Sequence, residues 1–179
     1  PAFIVGIGSW FYRYDLMLLL YSTTEHVSES AVVFGKLMFC FIPISASYIF
    51  GTLLTANGNL KQLNLLAGSG MLINIVLNLY MIPLFQAEGS AVSSLLTQSL
   101  MAVAQIIMVK QIFKFRINYK LIFSILLFLV LTVFICWFSK QVISYWAAGL
   151  LVAGAACLMV AFLFRIISLK NIYRLVRYE

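Results

Sequence analysis

The reactive side chains of this sequence are few and scattered. There is one histidine, His26, and the three cysteines, Cys40, Cys136 and Cys157, all lie in apolar runs without CxxC spacing. That pattern suits neither a disulfide framework nor a metal site, and buried free cysteines behave as small hydrophobes. No HExxH, GxSxG, P-loop or dinucleotide fingerprint occurs, and the "GIGS" at 6–9 lacks the rest of a phosphate loop. No acidic pair sits at a spacing suited to carboxylate catalysis, so the chain is not expected to be an enzyme, and neither metal nor cofactor is expected. What recurs instead is uncharged hydrogen-bonding chemistry. Asn64, Gly68, Met71, Asn74 and Asn78 step by three or four along one helical face. So do Ser90, Ser94, Gln98, Ala102 and Gln105, and so do Ser45, Tyr48, Thr52 and Thr55. Amides and hydroxyls in an apolar medium need partners. Stripes of them on adjacent helices either bond to one another as helix–helix glue, at about 0.6–2 kcal/mol per bond, or face a wet cavity.

The elements that carry these stripes follow from hydrophobicity. Of 179 residues, 64% are hydrophobic and 9% charged, and the mean hydropathy is +1.06. A soluble domain cannot hide that much apolar surface, so lipid is the expected solvent for most of the chain. Nine Tyr and three Trp suit repeated crossings of the water–lipid interface. A helix needs about 20 apolar residues to cross the hydrocarbon core. Six stretches meet or approach this, at about 2–20, 31–56, 62–83, 89–110, 120–138 and 145–167. Breaker and polar residues join them: "STTEHVSES", "NGNLK", "QAEGS", "KFRINYK" and "SKQVIS". The expected fold is therefore all-α, a polytopic bundle of six transmembrane helices. Within "NIVLNLYMIPLFQAEGSAVSSLL", 74–96, the pattern predicts a helix ending at Pro83, a tight turn through "AEGS" and a helix starting near Ser90. In the last helix "AAGLLVAGAA", 147–156, is a small-residue packing face without amides.

The net charge of +7 is read as topology rather than as nucleic-acid binding. With the C-terminus cytoplasmic, nine cations fall on that side: Lys61, Lys110, Lys114, Arg116, Lys120, Arg165, Lys170, Arg174 and Arg177. Only Lys140 falls opposite, beside Glu25, Glu29 and Glu88. Both ends of the chain are then cytoplasmic. Arg13 and Lys36 sit inside or at the edge of apolar segments. Arg13 and Asp15 form either an interfacial anchor or an intramembrane ion site; Lys36 either snorkels to the outer surface or serves as a membrane-level cation. The tail "RIISLKNIYRLVRYE" has helical amphipathic spacing suited to a membrane surface, with disorder as the alternative. The chain opens on Pro1 and apolar residues and reads as a piece of something longer.

Three motifs in order, "LLLYSTTEHVSESAVVFGKLM" (18–38), "SYIFGTLLTANGNLKQLN" (47–64) and "NIVLNLYMIPLFQAEGSAVSSLLTQ" (74–98), give the chain a likeness. Over about residues 16–110 it resembles the C-terminal half of bacterial polysaccharide-biosynthesis flippases of the multidrug/oligosaccharidyl-lipid/polysaccharide exporter superfamily. The outer turn departs from the family's Gly-rich form, and the last two helices fit only by position and hydropathy. The resemblance implies one bundle of a two-bundle transporter, its N-terminal bundle absent here. Residues 1–112 would be transporter helices, the first truncated, and 113–179 a terminal hairpin with a basic cytoplasmic tail. It implies translocation of lipid-linked oligosaccharide, a polyisoprenyl diphosphate sugar, by alternating access in the bacterial inner membrane, for O-antigen or capsule-type polymers. Asn74, Asn78, Gln98, Gln105 and Thr52 would suit the sugar hydroxyls, and Lys36 and Arg13 the diphosphate. Two other readings stand beside it: half of a drug or organic-cation antiporter, for which Asp15 is the one intramembrane acid, and a non-transporting membrane scaffold subunit. For the topology, single cysteines at positions 26 or 88 should label from outside intact cells, and at 61 or 116 only after permeabilisation. The opposite pattern would invert the orientation.

Overall fold

The computed structural model describes residues 2–21, 26–114 and 119–164. All of the regular structure among them is helical: α1 (Ala2–Phe11), α2 (Arg13–Leu20), α3 (Val27–Phe39), α4 (Phe41–Ala56), α5 (Leu60–Phe113), α6 (Tyr119–Val142) and α7 (Trp146–Leu163). Two compact units divide the chain, one over Ala2–Ile117 and the other within Asn118–Glu179. The basic tail, loop residues 22–25 and the cations Arg116, Arg165, Lys170, Arg174 and Arg177 lie outside the described residues.

Local chemistry explains the joints of the first unit. α1 and α2 meet at Tyr12 with a 77° bend. α3 and α4 are nearly continuous, and the break at Cys40 follows from Pro43. Proline has no N–H to give the carbonyl four residues back, and its ring crowds that carbonyl. Cys40 N–H accordingly bonds Leu37 in a tighter i−3 turn. α4 ends in a Schellman motif: Gly58 at φ +83°, Gly58 N–H to Thr55 O at 3.0 Å and Asn59 N–H to Leu54 O at 2.9 Å. Gly58 supplies the left-handed conformation without a Cβ penalty. The expected "NGNLK" turn is thus a three-residue joint that folds α5 back on α4.

α5 is the element the sequence reading divided differently. Its 54 residues are helical apart from Gln86, at φ 51° and ψ −128°. Asn74 and Thr97, 23 positions apart, share a hydrogen bond. On a straight helix they would stand about 35 Å apart, so the chain reverses at Gln86. The two arms run over 60–85 and 87–113. The hairpin is present, but the first arm continues through Pro83 to Phe85, and the second starts before Ser90. One left-handed residue makes the reversal, rather than a loop over 87–90.

Among the described residues, four helical stretches are long and apolar enough to cross a membrane: Val27–Ala56, Leu60–Phe113, Ile122–Val142 and Trp146–Leu163. The bent pair α1 and α2 makes a fifth if it forms one span. The expectation of six differs because it counts the arms of α5 separately. The exterior is apolar, with Leu72 at 66%, Leu79 at 70% and Leu163 at 81% exposure, a surface that suits lipid contact.

In the second unit, α6 and α7 close a small-residue seam. Gly149, Ala153, Cys157 and Ala161 of α7 are buried at four-residue steps, and Phe128, Thr132, Cys136 and Ser139 of α6 are buried at steps of four, four and three. Ser139 Oγ–H donates to Gly149 O across the seam at 2.8 Å. Ala153→Phe should overpack this seam and lower hairpin stability by about 1–3 kcal/mol. Leu163→Phe, at an exposed position, should shift it by less than about 0.5 kcal/mol. Denaturant titration in mixed micelles followed by circular dichroism reads both, and equal effects would refute the seam.

Candidate functional site

The polar residues of α5 meet across its two arms. Asn78 Nδ2–H donates to Asn74 Oδ1 at 2.9 Å, and Asn74 Nδ2–H donates to Thr97 Oγ1 at 3.2 Å. Thr97 Oγ1–H donates to Ser93 O at 2.8 Å, and Ser93 Oγ–H to Gly89 O at 2.9 Å. Ser93 and Thr97 are buried, at 0% and 6% exposure. The ladder therefore links one arm to the other and ties the second arm's hydroxyls to its own backbone, where a hydroxyl four residues on can reach the carbonyl. Below it Gly70 lets the arms close: a Cβ there would run into the Met101 side chain.

Beside the ladder, α4 and the two arms enclose a groove of about 420 Å³. Asn74, Thr97, Gln98 and Gln105 line it, with Ser47 of α4 opposite. Gln105 is 7% exposed, yet its Oε1 has no hydrogen-bond partner, and neither has Ser47 Oγ. A buried acceptor left without a donor costs about 1–3 kcal/mol. Asn78 Oδ1 is the third such atom, beside a separate apolar hollow of about 340 Å³ along Ile75, Leu79, Ile82 and Pro83.

The other sequence-derived candidates lie away from this groove. Thr52 is exposed, and its hydroxyl donates to Tyr48 O in its own helix at 2.7 Å. α4 presents Ser47, Gly51 and buried Leu54 inward, while Tyr48 of the expected stripe is 78% exposed. In the first arm Asn64 and Gly68 are exposed as well. Lys36 forms an ion pair with Glu88, just past the reversal at Gln86, and so joins α3 to the hairpin's turn. A hollow of about 400 Å³ lies beside this pair, bounded by Glu29 and Val33 of α3 and by Phe85 and Gln86. Arg13 stacks over the Trp10 indole, 4.1 Å from its centroid, a cation–π contact, and both lie against Gly35 of α3. His26 precedes α3, its Nδ1 3.7 Å from Glu29.

The residues that the stripe reading passed over are Ser47, Ser93 and Thr97. Gly89, Ser93 and Thr97 recur at four-residue steps, so the signal was there, one position from the stripe through Ser90, Ser94 and Gln98. One residue turns a helix by about 100°. The arrangement can form and exchange hydrogen bonds, and among the residues lining the groove none is ionisable. No family model, curated protein or solved structure matches the chain.

The ladder's cross-arm bond is open to a double-mutant cycle. Asn74→Leu and Thr97→Val should each destabilise the fold, with a coupling of about 0.6–2 kcal/mol between them. Additive effects would show that the bond contributes nothing.

Proposed function

We propose that this chain is one helical bundle of an alternating-access flippase for lipid-linked oligosaccharide, spanning a bacterial inner membrane with both ends cytoplasmic. Counting the two arms of α5 separately and the bent α1–α2 pair as one gives six crossings. The observation that carries the reading is the uncharged, amide- and hydroxyl-lined groove between α4 and α5, with Asn74, Gln98 and Gln105 among its lining residues. A polar head moving through a bilayer needs such a wall, while its polyisoprenyl tail stays in lipid. The partner in transport is a second bundle, N-terminal to this one, that closes the pathway from the other side. Lys36 and Arg13 are the cations available to a diphosphate. Lys36 is held by Glu88, so phosphate there has to displace that carboxylate.

One observation favours a scaffold reading. Asn74 is spent on Thr97 and Asn78 on Asn74, which is the behaviour of glue. An organic-cation antiporter draws no such support, since no acid lines the groove. The two live readings part on one measurement. In the two-bundle protein, Gln105→Leu should cut flipping of a fluorescent lipid-linked sugar in proteoliposomes about five-fold, the worth of one neutral hydrogen bond, with the amount of folded protein unchanged. Unchanged flipping removes the groove from the pathway; loss of folded protein without loss of specific flipping assigns it to packing.

A further inference from the structure

Gly70 brings the arms of α5 into contact at Met101, but nearer to Leu60 and Phe113 they leave a hollow of about 450 Å³ between them. Gln62, Leu65 and Ser69 of the first arm and Met108 and Gln111 of the second are among its walls, and no residue of α4 is. The groove beside α4 uses Ala67 and Met71 of the same arm. Helical residues two apart stand on nearly opposite sides, so the hollow opens on the flank turned away from α4. Its walls are accessible: Leu65 is 77% exposed, and Gln62, Ser69 and Gln111 are exposed as well. They are also graded. Gln62 and Gln111 stand near the arms' ends, and Leu65 and Met108 further along. Ser69, farthest from the end, turns its hydroxyl to Leu66 O at 2.7 Å. Asn59 Nδ2–H donates to Gln62 Oε1 at 3.0 Å, which leaves the Gln62 amide N–H groups for an acceptor.

The hairpin brings three cations to that same end. Lys61 lies one turn before Leu65, on the stripe that continues to Ser69. Lys114 follows Gln111 by three positions, and Lys110 precedes it by one. All three are exposed, and among the described residues none has a carboxylate partner. A lysine stem runs along apolar surface while its ammonium reaches the polar boundary. The flank is thus cationic and donor-rich at the helix ends and apolar deeper in. A phospholipid with a net negative headgroup has the matching order, a phosphodiester followed by a hydrocarbon chain. A zwitterionic headgroup would add its own ammonium to a cluster of lysines.

We propose that the hollow between the arms of α5 is a binding site for one anionic phospholipid. Lys61, Lys114 and the Gln62 amide take its phosphate, and one acyl chain lies along Leu65, Leu66 and Met108. Lys110 adds to the positive field at the mouth. The proposal needs the hairpin to lie in a membrane; it depends neither on transport nor on which leaflet meets the Lys61 end.

The test is native mass spectrometry of the 179-residue chain in detergent, titrated with phosphatidylglycerol and with phosphatidylcholine of the same acyl chains. One phosphatidylglycerol should be retained at least about five-fold more tightly than phosphatidylcholine. Lys61→Gln and Lys114→Gln should each weaken its retention by about five-fold, the worth of one basic residue at an anionic lipid surface. Lys140→Gln, on α6 of the other unit, should leave it unchanged. Ser69→Phe fills the hollow without touching a charge and should weaken retention of the lipid as well. Thermal melting followed by circular dichroism checks that each variant is folded, and the two lysine variants carry the test if the phenylalanine variant is not. Equal retention of the two lipids, or of neither, would overturn the proposal. So would full retention by Ser69→Phe, or a loss with Lys140→Gln as large as with Lys61→Gln, since either puts the lipid outside the hollow. Displacement of the lipid by inorganic phosphate would make this a plain anion site. A dimer that excludes the lipid and is lost in Ser69→Phe would give the hollow to a second copy of the chain.

Discussion

The hydrogen bond from Asn74 to Thr97 is the constraint on which the larger unit depends. It joins positions that a straight helix would hold far apart, and so records the reversal of α5 in a single contact. The reversal itself costs free energy, because Gln86 occupies a backbone region that residues other than glycine seldom enter. It persists because contacts on both sides over-determine it. The Asn74–Thr97 bond joins the arms, Gly70 admits Met101 between them, and Glu88 is tied to Lys36 on α3. In a low-dielectric setting such bonds have few competitors, and an unmade one is costly.

The same register creates the groove. Once Asn74 donates to Thr97, its amide oxygen is used by Asn78, and Thr97 turns its own hydrogen to Ser93 O. The ladder is thus satisfied from Asn74 to Ser93, while Asn78 Oδ1 at its end has no partner. Two turns along, at Gln105, the partner that would continue it is Gly51, which has no side chain. The polar seam therefore adjoins a groove lined by further amides and hydroxyls. Rigidity and available hydrogen-bonding capacity sit on the same pair of helices, and a binding wall needs both.

The ion pair of Lys36 and Glu88 and the stacking of Arg13 on Trp10 give these two cations a structural occupation. On the flippase reading proposed above, this has a consequence. A cation already paired exchanges one anionic partner for another, at lower cost than a bare buried charge would incur. The pair also joins α3 to the turn of α5, so a change of partner at Lys36 would be felt at the hairpin. α6 and α7 differ in character: small residues of α7 are buried at their seam, and the seam's hydroxyls on α6 donate to nearby carbonyls.

Composition and run length by themselves determined that the chain is helical, that its helices are apolar enough for lipid, and where most of them break. Run length is set by bilayer thickness, and breaks by the chemistry of Gly, Pro and polar clusters, both of which are local. The turn at Gly58 and the packing face on α7 were legible for the same reason, as was the pairing of the arms of α5. Which faces turn inward was decided only by the tertiary structure. In α4, Ser45, Tyr48 and Thr52 recur at helical spacing, but so do Ser47, Gly51 and Leu54, and sequence periodicity does not choose between two valid stripes. Neighbouring positions differ by about 100° around the axis, so Ser93 and Thr97 took the place expected for Ser94 and Gln98 on the seam between the arms. The reversal at Gln86 rather than past Pro83, and the pairing of Lys36 with Glu88 across 52 positions, likewise depend on contacts between helices. Periodicity says that a face is polar; only the neighbour it meets says whether that face is glue, pocket or surface.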